Sequence, residues 1–167
     1  MDFKPNEAER MIRDMARQFA TEYIAPRVKE IEEKDEFFPD LVQKMGEQGL
    51  LAMELPEEYG GAESGTLAAV MATEEIARVN AAVCNVFGAV RLHLAVLHQF
   101  GTPAQKDRWI EPLASGTKIG GWAITEPGAG SDVASLKTPA VRKGDRCVTN
   151  GPKAVSALAP ASDMVLV

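Results

Sequence analysis

Apolar residues recur at spacings of three and four along the first part of the chain, a pattern typical of amphipathic helices. The first such stripe runs from Ala8 to Tyr23. Asn6 precedes it as an N-cap candidate, and Glu7 places negative charge in the first turn, where it favours the helix dipole. The pattern therefore predicts a first helix that kinks or breaks near Pro26, since proline lacks the N–H that a helix interior needs.

The same spacing predicts more helices further along the chain. A short one begins at Pro39, and an amphipathic one covers about 66–80. Another follows Thr102, an N-cap candidate with Pro103 in the first helical position, and ends at Gly116. We therefore expect the first part of the chain to be all helix.

The run from Ala81 to Phe100 differs from these helices because Arg91 is its single charged residue. We expect it to form the central helix and to be buried nearly all round. A buried arginine needs a partner, and a glutamate of a neighbouring helix would provide one. His93 and His98 are five positions apart, on different sides of a helix, so we interpret them as interior or boundary histidines rather than metal ligands.

Short apolar runs replace the helical spacing after Lys118. Residues 119–125 form one such run and predict a buried strand. Residues 139–149 predict a hairpin that turns at Gly144, and residues 164–167 predict another strand. The change of pattern divides the chain into a helical domain, 1–117, and a β domain, 118–167, and the fold class is α+β.

The composition of the chain argues against several classes of function. The 167 residues include 18 Lys and Arg against 24 Asp and Glu, a net charge of −6, so no basic surface for nucleic acid is expected. Cys84 and Cys147 are too far apart for a CxxC motif, which favours core residues in a reducing compartment over a metal or disulfide site. No stretch approaches the roughly 20 apolar residues of a membrane span, and the N-terminus is too acidic for a signal peptide. The predicted location is the cytoplasm, although a mature organelle protein would look the same.

A glycine-rich corner follows the predicted strand 119–125. Pro127 ends the strand, and Gly128 and Gly130 flank a single alanine. Two glycines so close together let the main chain take positive φ and approach a bound group closely. Ser131 and Asp132 supply polar side chains at the same corner. The pattern predicts a loop that contacts a ligand through its backbone.

The string WAITEPGAGSD at 122–132, followed by LKT at 136–138, closely resembles the flavin-binding segment of the acyl-CoA dehydrogenases. The upstream strings LPEEYGG at 55–61 and FGT at 100–102 are similar to the helical N-terminal domain of that family and stand in its usual order. The resemblance implies an N-terminal all-α helical bundle followed by the beginning of an antiparallel, β-barrel-like domain. On this reading the β domain is truncated at the last residue.

The resemblance also implies FAD as cofactor and assigns roles around the corner. It gives an apolar face to Trp122, a hydroxyl for the edge of the flavin ring to Thr125, and further main-chain bonds to the ring to Ala123 and Ile124. The turn that contains Gly130 and Ser131 can offer N–H groups to an anion, and Ser131 matches a family position at the meeting of FAD and the acyl-CoA substrate. The region around Arg91 corresponds to the distal end of the acyl pocket, so a polar acyl group is an alternative partner for that side chain.

One stretch departs from the family pattern. After Pro152 and Lys153 the family has an aromatic residue, an aliphatic residue and a Thr or Ser that contact the flavin. Here Val155, Ser156 and Ala157 occupy those positions. The ring would lose a stacking partner and one hydroxyl, unless a one-residue slip of the strand brings Ser156 into place.

The activity that the resemblance implies is α,β-dehydrogenation of an acyl-CoA thioester in fatty acid metabolism, with an electron-transfer flavoprotein as acceptor. The family takes its catalytic base from a C-terminal helical domain, so no catalytic residue is assigned in this chain, and Glu126 is given no such role. A homo-oligomer or a partner chain that supplies the C-terminal domain is expected. The alternative is a non-catalytic binding or interaction protein that keeps the fold without flavin turnover, a reading that Val155 and Ala157 support.

Overall fold

A computed structural model describes residues 4–34, 36–156 and 158–167. The chain divides into two compact units, Met1–Ile119 and Gly120–Val167. The helices of the first unit are α1 Glu7–Phe19, α2 Val28–Lys34, α3 Pro39–Glu47, α4 Gly65–Ala77, α5 Ala81–Phe100 and α6 Pro103–Ala114. The strands of the second unit are β1 Gly120–Trp122, β2 Ala140–Lys143, β3 Arg146–Thr149 and β4 Met164–Leu166. Helices followed by strands confirm the predicted α+β class.

Helix α1 begins as its sequence predicts, but it ends at Phe19, before the predicted end of its apolar stripe at Tyr23. The side chain of Asn6 accepts a hydrogen bond from the Glu9 amide at 2.9 Å, and the Asn6 amide donates to the Glu9 carboxylate at 2.7 Å, which makes a capping box. After Phe19 the helical path passes through a π-helical segment, Ala20–Ile24, and a short 3₁₀ segment. Because Pro26 cannot donate to the turn before it, the regular hydrogen-bond pattern is interrupted there, and the predicted break is confirmed.

The core of the helical unit forms where α1 packs against α4 and where α5 packs against α4 and α6. Helix α3 and the end of α6 approach each other so closely that a Cβ at Gly46 would lie 2.2 Å from the carbonyl carbon of Ser115. Gly116, at φ 72°, ends α6 as predicted. The largest fully buried side chains are Phe19, Ile24, Leu41, Met45, Leu50, Leu51, Met53, Ile76, Phe87, Leu94, Ile110 and Leu113.

Helix α5 has the predicted bounds but not the predicted burial. Seven of its 20 residues are buried, and they form one stripe. Leu92 is 51 % exposed and Phe100 is 72 % exposed, so the expectation of burial nearly all round was wrong. A low count of charged residues shows that a helix can be buried, whereas the neighbouring helices decide which side is covered.

The length and composition of α5 also meet the requirements of a membrane span, contrary to the expectation that no stretch would come close. The buried stripe of α5 nevertheless packs against α4 and α6. A core helix of a helical unit shows this same combination of an apolar sequence and a buried stripe.

The second unit contains two short pairs of strands. Strand β1 pairs with β4 in parallel, and the Ala123 amide extends this ladder to the Leu166 carbonyl at 2.8 Å. Strands β2 and β3 form the predicted antiparallel hairpin, whose turn contains Gly144 at φ 66°. The strand predicted over 119–125 is shorter than expected, because β1 ends at Trp122 and the chain then leaves the sheet.

Candidate functional site

The glycine corner is a tight turn that closes on itself. The Glu126 amide donates to the Ala129 carbonyl at 2.9 Å, and the Ala129 amide donates back to the Glu126 carbonyl at 3.1 Å. Both residues are buried, at 7 % and 4 % exposure, although the residues around them are exposed. The turn therefore has a fixed inner side, and Gly130 and Ser131 follow it on the surface.

The two glycines of the corner do not adopt the positive φ that the sequence suggested for them. Neither Gly128 nor Gly130 has a positive φ, so the expected left-handed backbone was wrong. Among the residues that the structure describes, no atom lies within 4 Å of a Cβ added at either position. The corner therefore faces open space and is not packed shut by the protein.

Glu126, which the sequence left without a role, holds this loop together. Its carboxylate accepts hydrogen bonds from the amides of Lys137 at 2.8 Å and Thr138 at 3.0 Å, and from Nζ of Lys153 at 3.1 Å. These groups lower the pKa of Glu126 from its ordinary 4.5 to about 2, with the nearby Thr138 hydroxyl and then the Lys137 amide contributing most. The carboxylate stays ionised, and it joins the start of the loop to residues 11 and 12 positions later.

Lys153 extends the same arrangement to the end of β1. Its ammonium also donates to the Ile124 carbonyl at 3.0 Å, and the next amide, of Ala154, donates to the Thr125 carbonyl at 2.8 Å. The Lys153 side chain is 16 % exposed and that of Glu126 is 6 %, so this is a desolvated ion pair with its other hydrogen bonds satisfied. We call these two residues the Glu126–Lys153 clamp.

A carboxylate beside a proline gives no signal in the sequence that it binds main-chain amides. The partners of Glu126 are backbone groups, which every residue carries, so the pattern of side chains does not reveal them. Lys153 stands 27 positions further on, and its pairing with Glu126 depends on how the chain returns to the loop.

Most of the residues that the resemblance assigns to the cofactor lie within one segment of the chain, from Trp122 to Ser131. Trp122 is half-buried at the end of β1, and Thr125 is half-buried just before the turn. The Ala123 amide and the Ile124 carbonyl already bond within the unit, whereas the Ala123 carbonyl and the Ile124 amide have no main-chain partner within the described ranges. Their flavin roles remain predictions, as do those of Gly130 and Ser131.

The segment that departs from the family pattern has no regular secondary structure in its described part. Val155 is 91 % exposed and has a φ of 52°, which is unusual for a β-branched residue. Ser156 is half-buried, and Ala157 lies outside the described residues. Since residues 152–156 form no strand, the structure gives no register that a slip could shift.

A cavity of about 340 Å³ lies beside the corner. Its lining does not include residues 122–125, so it is distinct from the surface that the resemblance assigns to the flavin ring. The lining residues are Glu126, Pro127, Gly128, Ser135, Lys137, Thr138, Asn150, Gly151 and Pro152.

The polar residues of α5 belong to the helical unit. His93 is fully buried, with Nδ1 2.7 Å from the Ala89 carbonyl, as expected of an interior histidine. Arg91 pairs with Glu54, which lies in the turns after α3 rather than in a neighbouring helix. Within 4–34, 36–156 and 158–167, no three His, Cys, Asp or Glu side chains are grouped so that they could hold a metal ion.

Two domain families match the chain. The acyl-CoA dehydrogenase N-terminal domain matches residues 6–117, and the acyl-CoA dehydrogenase middle domain matches residues 121–167. The two matches meet where the structure divides between Ile119 and Gly120.

Similar proteins and structures cover nearly the whole chain. A probable acyl-CoA dehydrogenase of Bacillus subtilis is 38 % identical over 154 residues, which are 92 % of this chain and 40 % of that protein. A structure reported for the electron transferring flavoprotein of Acidaminococcus fermentans aligns with a TM-score of 0.90 and 36 % identity over 100 % of this chain and 44 % of its own.

A glutaryl-CoA dehydrogenase from Mycobacterium smegmatis, solved in complex with FADH2, aligns with a TM-score of 0.89 and 26 % identity. The alignment covers 96 % of this chain and 42 % of that one. The chain thus spans less than half the length of each of these three proteins.

Proposed function

Because the chain belongs to the acyl-CoA dehydrogenase family, we propose that it provides the flavin-binding segment of an FAD-dependent enzyme that dehydrogenates an acyl-CoA thioester between its α and β carbons. The observation that carries this proposal is the open glycine corner next to Trp122, held in shape by the Glu126–Lys153 clamp. Substrate, acceptor and partners of the whole protein are part of the proposal.

The backbone of the corner supports this proposal because it is fixed on one side and open on the other. A Cβ at Gly130 would have no neighbour within 4 Å in the described part of the chain, and Ser131 is exposed. Trp122 would supply an apolar face and Thr125 a hydroxyl, while the main chain of Gly130 and Ser131 would face the phosphates. FAD, when bound, supplies the redox chemistry, and the residues of this chain bind and orient it.

Glu126 does not qualify as the proton acceptor of the reaction. An effective general base has a pKa near the working pH, whereas the pKa of Glu126 is about 2. Its two oxygens are also engaged by two amides and an ammonium group. On the family resemblance the base would come from a C-terminal helical domain, and the role of Glu126 is to hold the loop.

Some remaining parts of the proposal rest on family membership. An electron-transfer flavoprotein would reoxidise the flavin, a homo-oligomer or a further polypeptide segment would complete the site, and the enzyme would act in fatty acid metabolism. The division into domains at 1–117 and 118–167 and the cytoplasmic location are proposed from the sequence pattern and composition.

The test uses the space at Gly130. FAD is titrated into the purified chain, and binding is followed by flavin fluorescence, while unfolding is followed by circular dichroism. Gly130→Ala adds a methyl group that the protein itself accommodates, so we expect FAD to bind about tenfold more weakly with an unchanged melting temperature. Gly88→Ala is the matched control, because a Cβ at Gly88 on α5 also meets nothing within 4 Å.

Equal FAD affinities of the wild type, Gly130→Ala and Gly88→Ala would place the flavin away from the corner. A wild-type chain that binds no FAD would favour the second candidate function, a binding or interaction protein without flavin turnover. The observation behind that candidate is Val155, which is 91 % exposed where the family has a flavin-stacking aromatic residue.

A further inference from the structure

The helical unit contains a cavity of about 390 Å³ that the proposed flavin site does not use. Its apolar lining comes from Leu51 and Leu55, both buried, and from Ala95. Its polar lining includes Arg91 and His98 of α5. A cavity of this size with a few converging polar groups is typical of small-molecule sites.

Two nitrogen atoms of this lining are buried without a partner among the residues that the structure describes. They are Nε of Arg91 and Nδ1 of His98. Arg91, Ala95 and His98 follow at spacings of four and three, so they face the cavity from one side of α5. An unpaired buried polar atom is costly, and at Nε of Arg91, which carries a proton, a ligand with an acceptor atom would remove that cost.

Arg91 is fixed on every side except this one. Its Nη1 donates to the Thr73 hydroxyl at 3.2 Å, and its guanidinium lies over the Phe87 ring, 4.8 Å from the centroid. Nη2 pairs with one carboxylate oxygen of Glu54. The neighbouring Nε–H of Arg91 has no partner among the described residues. The edge formed by Nε and Nη2 could bind two oxygens, but it binds only one oxygen of Glu54.

A second arginine of the same unit shows the filled arrangement. Arg17 donates from Nε to one oxygen of Glu75 at 3.1 Å and from Nη2 to the other at 2.6 Å. This two-oxygen contact is the geometry in which a guanidinium binds a carboxylate most strongly. By comparison with Arg17, the guanidinium edge of Arg91 binds a carboxylate through one of its two donors only.

We propose that this cavity binds a short aliphatic carboxylate, whose two oxygens take the Nε and Nη2 edge of Arg91 in place of Glu54. The aliphatic part of the ligand lies against Leu51, Leu55 and Ala95. Glu54 can leave, because its side chain is 37 % exposed and it belongs to a turn rather than to a helix. Glu54 is thus a competitor of the ligand, and this predicts opposite effects of substitutions at the two ends of one ion pair.

The test titrates pentanoate into the 167-residue chain and follows the Arg91 Nε–H signal by ¹H–¹⁵N NMR. We expect a saturable shift of that signal, and no such shift with pentan-1-ol or inorganic phosphate at equal concentration. Glu54→Gln removes the competitor's charge and is expected to tighten pentanoate binding severalfold. Arg91→Lys removes the two-donor edge and with it the Arg91 signal, so its binding is followed by isothermal titration calorimetry beside the wild type, and pentanoate is expected to bind at least about tenfold more weakly.

Ala95→Met provides a test that leaves the ion pair intact, since it fills the cavity from its apolar side. We expect Ala95→Met to abolish the shift of the Arg91 signal, whereas Ala82→Met, on the exposed side of the same helix, retains it. Weaker or unchanged binding by Glu54→Gln would overturn the proposal, as would an equal response to pentan-1-ol or phosphate. No FAD is added in this experiment, so its failure would leave the FAD-binding test of the proposed function untouched.

Discussion

Two buried glutamates, one in each unit, are kept ionised by different kinds of partner. Glu75 on α4 is held by the guanidinium of Arg17 on α1 and by that of Arg78, whose Nη2 lies 3.0 Å from it. Glu126 is held by two main-chain amides and Lys153. The pKa of each carboxyl is lowered to about 2. An ionised carboxylate thus stabilises a contact between helices in one unit and the shape of a loop in the other.

The difference lies in what happens when the carboxylate is removed. Arg17 and Arg78 have side chains that are 51 % and 61 % exposed, so water can solvate them. The amides of Lys137 and Thr138 belong to the main chain and reach water only if the loop rearranges. Loss of Glu75 should therefore cost stability alone, whereas loss of Glu126 should change the shape of the site.

The largest effect is expected from Glu126→Ala. The amides of Lys137 and Thr138 lose their acceptor, so both should exchange with deuterium faster, and FAD should bind at least about tenfold more weakly. Hydrogen exchange measures the first effect and flavin fluorescence the second. Lys137→Gln is the control, because it removes a neighbouring charge but keeps the amide that Glu126 binds. If the two amides, at positions 137 and 138, exchange equally fast in the Glu126→Ala and Lys137→Gln variants, the carboxylate does not hold the loop.

Glu75→Ala should lower the free energy of unfolding of the helical unit by about 1 kcal/mol, because the exposed arginines recover most of their solvation. Circular dichroism should record a melting temperature several degrees lower. Glu74→Ala, at the exposed neighbouring position of α4, should leave it nearly unchanged. A comparable loss of FAD affinity in Glu75→Ala would contradict the separation of the two roles.

Acid should destabilise both units over the same range of pH. Each carboxyl has a lower pKa in the folded state, about 2, than its ordinary 4.5, so its contribution to stability is complete above pH 4.5 and is lost as the pH falls toward 2.

Tryptophan fluorescence can follow each unit separately. Trp109 reports on the helical unit and Trp122 on the second unit, so Trp109→Phe and Trp122→Phe each leave one fluorescent probe. Glu75→Gln should flatten the acid transition seen by Trp109 only, and Glu126→Gln the one seen by Trp122 only. The reverse pairing would be inconsistent with these assignments.

The smallest effect is expected at Val155. Its φ of 52° is unfavourable for a β-branched residue, so Val155→Gly should stabilise the second unit by up to about 1 kcal/mol. Chemical denaturation followed through Trp122 measures this change. Val148→Gly, at an exposed position of strand β3, should instead destabilise the unit. Destabilisation by both substitutions would show that the backbone at Val155 is not strained.

The helices could be predicted well from the sequence, because their signals are local. The cap at Asn6, the break near Pro26 and the start of α6 after Thr102 depend on residues a few positions apart. The hairpin turn at Gly144 is local in the same sense. The parallel pairing of β1 with β4 joins segments more than 40 positions apart, and no local pattern predicts such a partner.

The candidate site divides in the same way. The string from Trp122 to Ser131 predicted where a ligand would lie, because its residue types resemble a known family segment. The sequence did not reveal that the glycines avoid positive φ, or that Glu126 binds two amides, because both depend on the path of the backbone.

By itself, the sequence determined the family, the order of helices and strands, and the segment proposed to bind flavin, because short-range spacing and residue type carry these features. Only the tertiary structure decided which side of α5 is covered, that Lys153 meets Glu126, and that one N–H of Arg91, beside a cavity, has no partner among the described residues. The physical reason is that burial and hydrogen bonding depend on neighbours brought together by folding, which the order of residues along the chain does not specify locally.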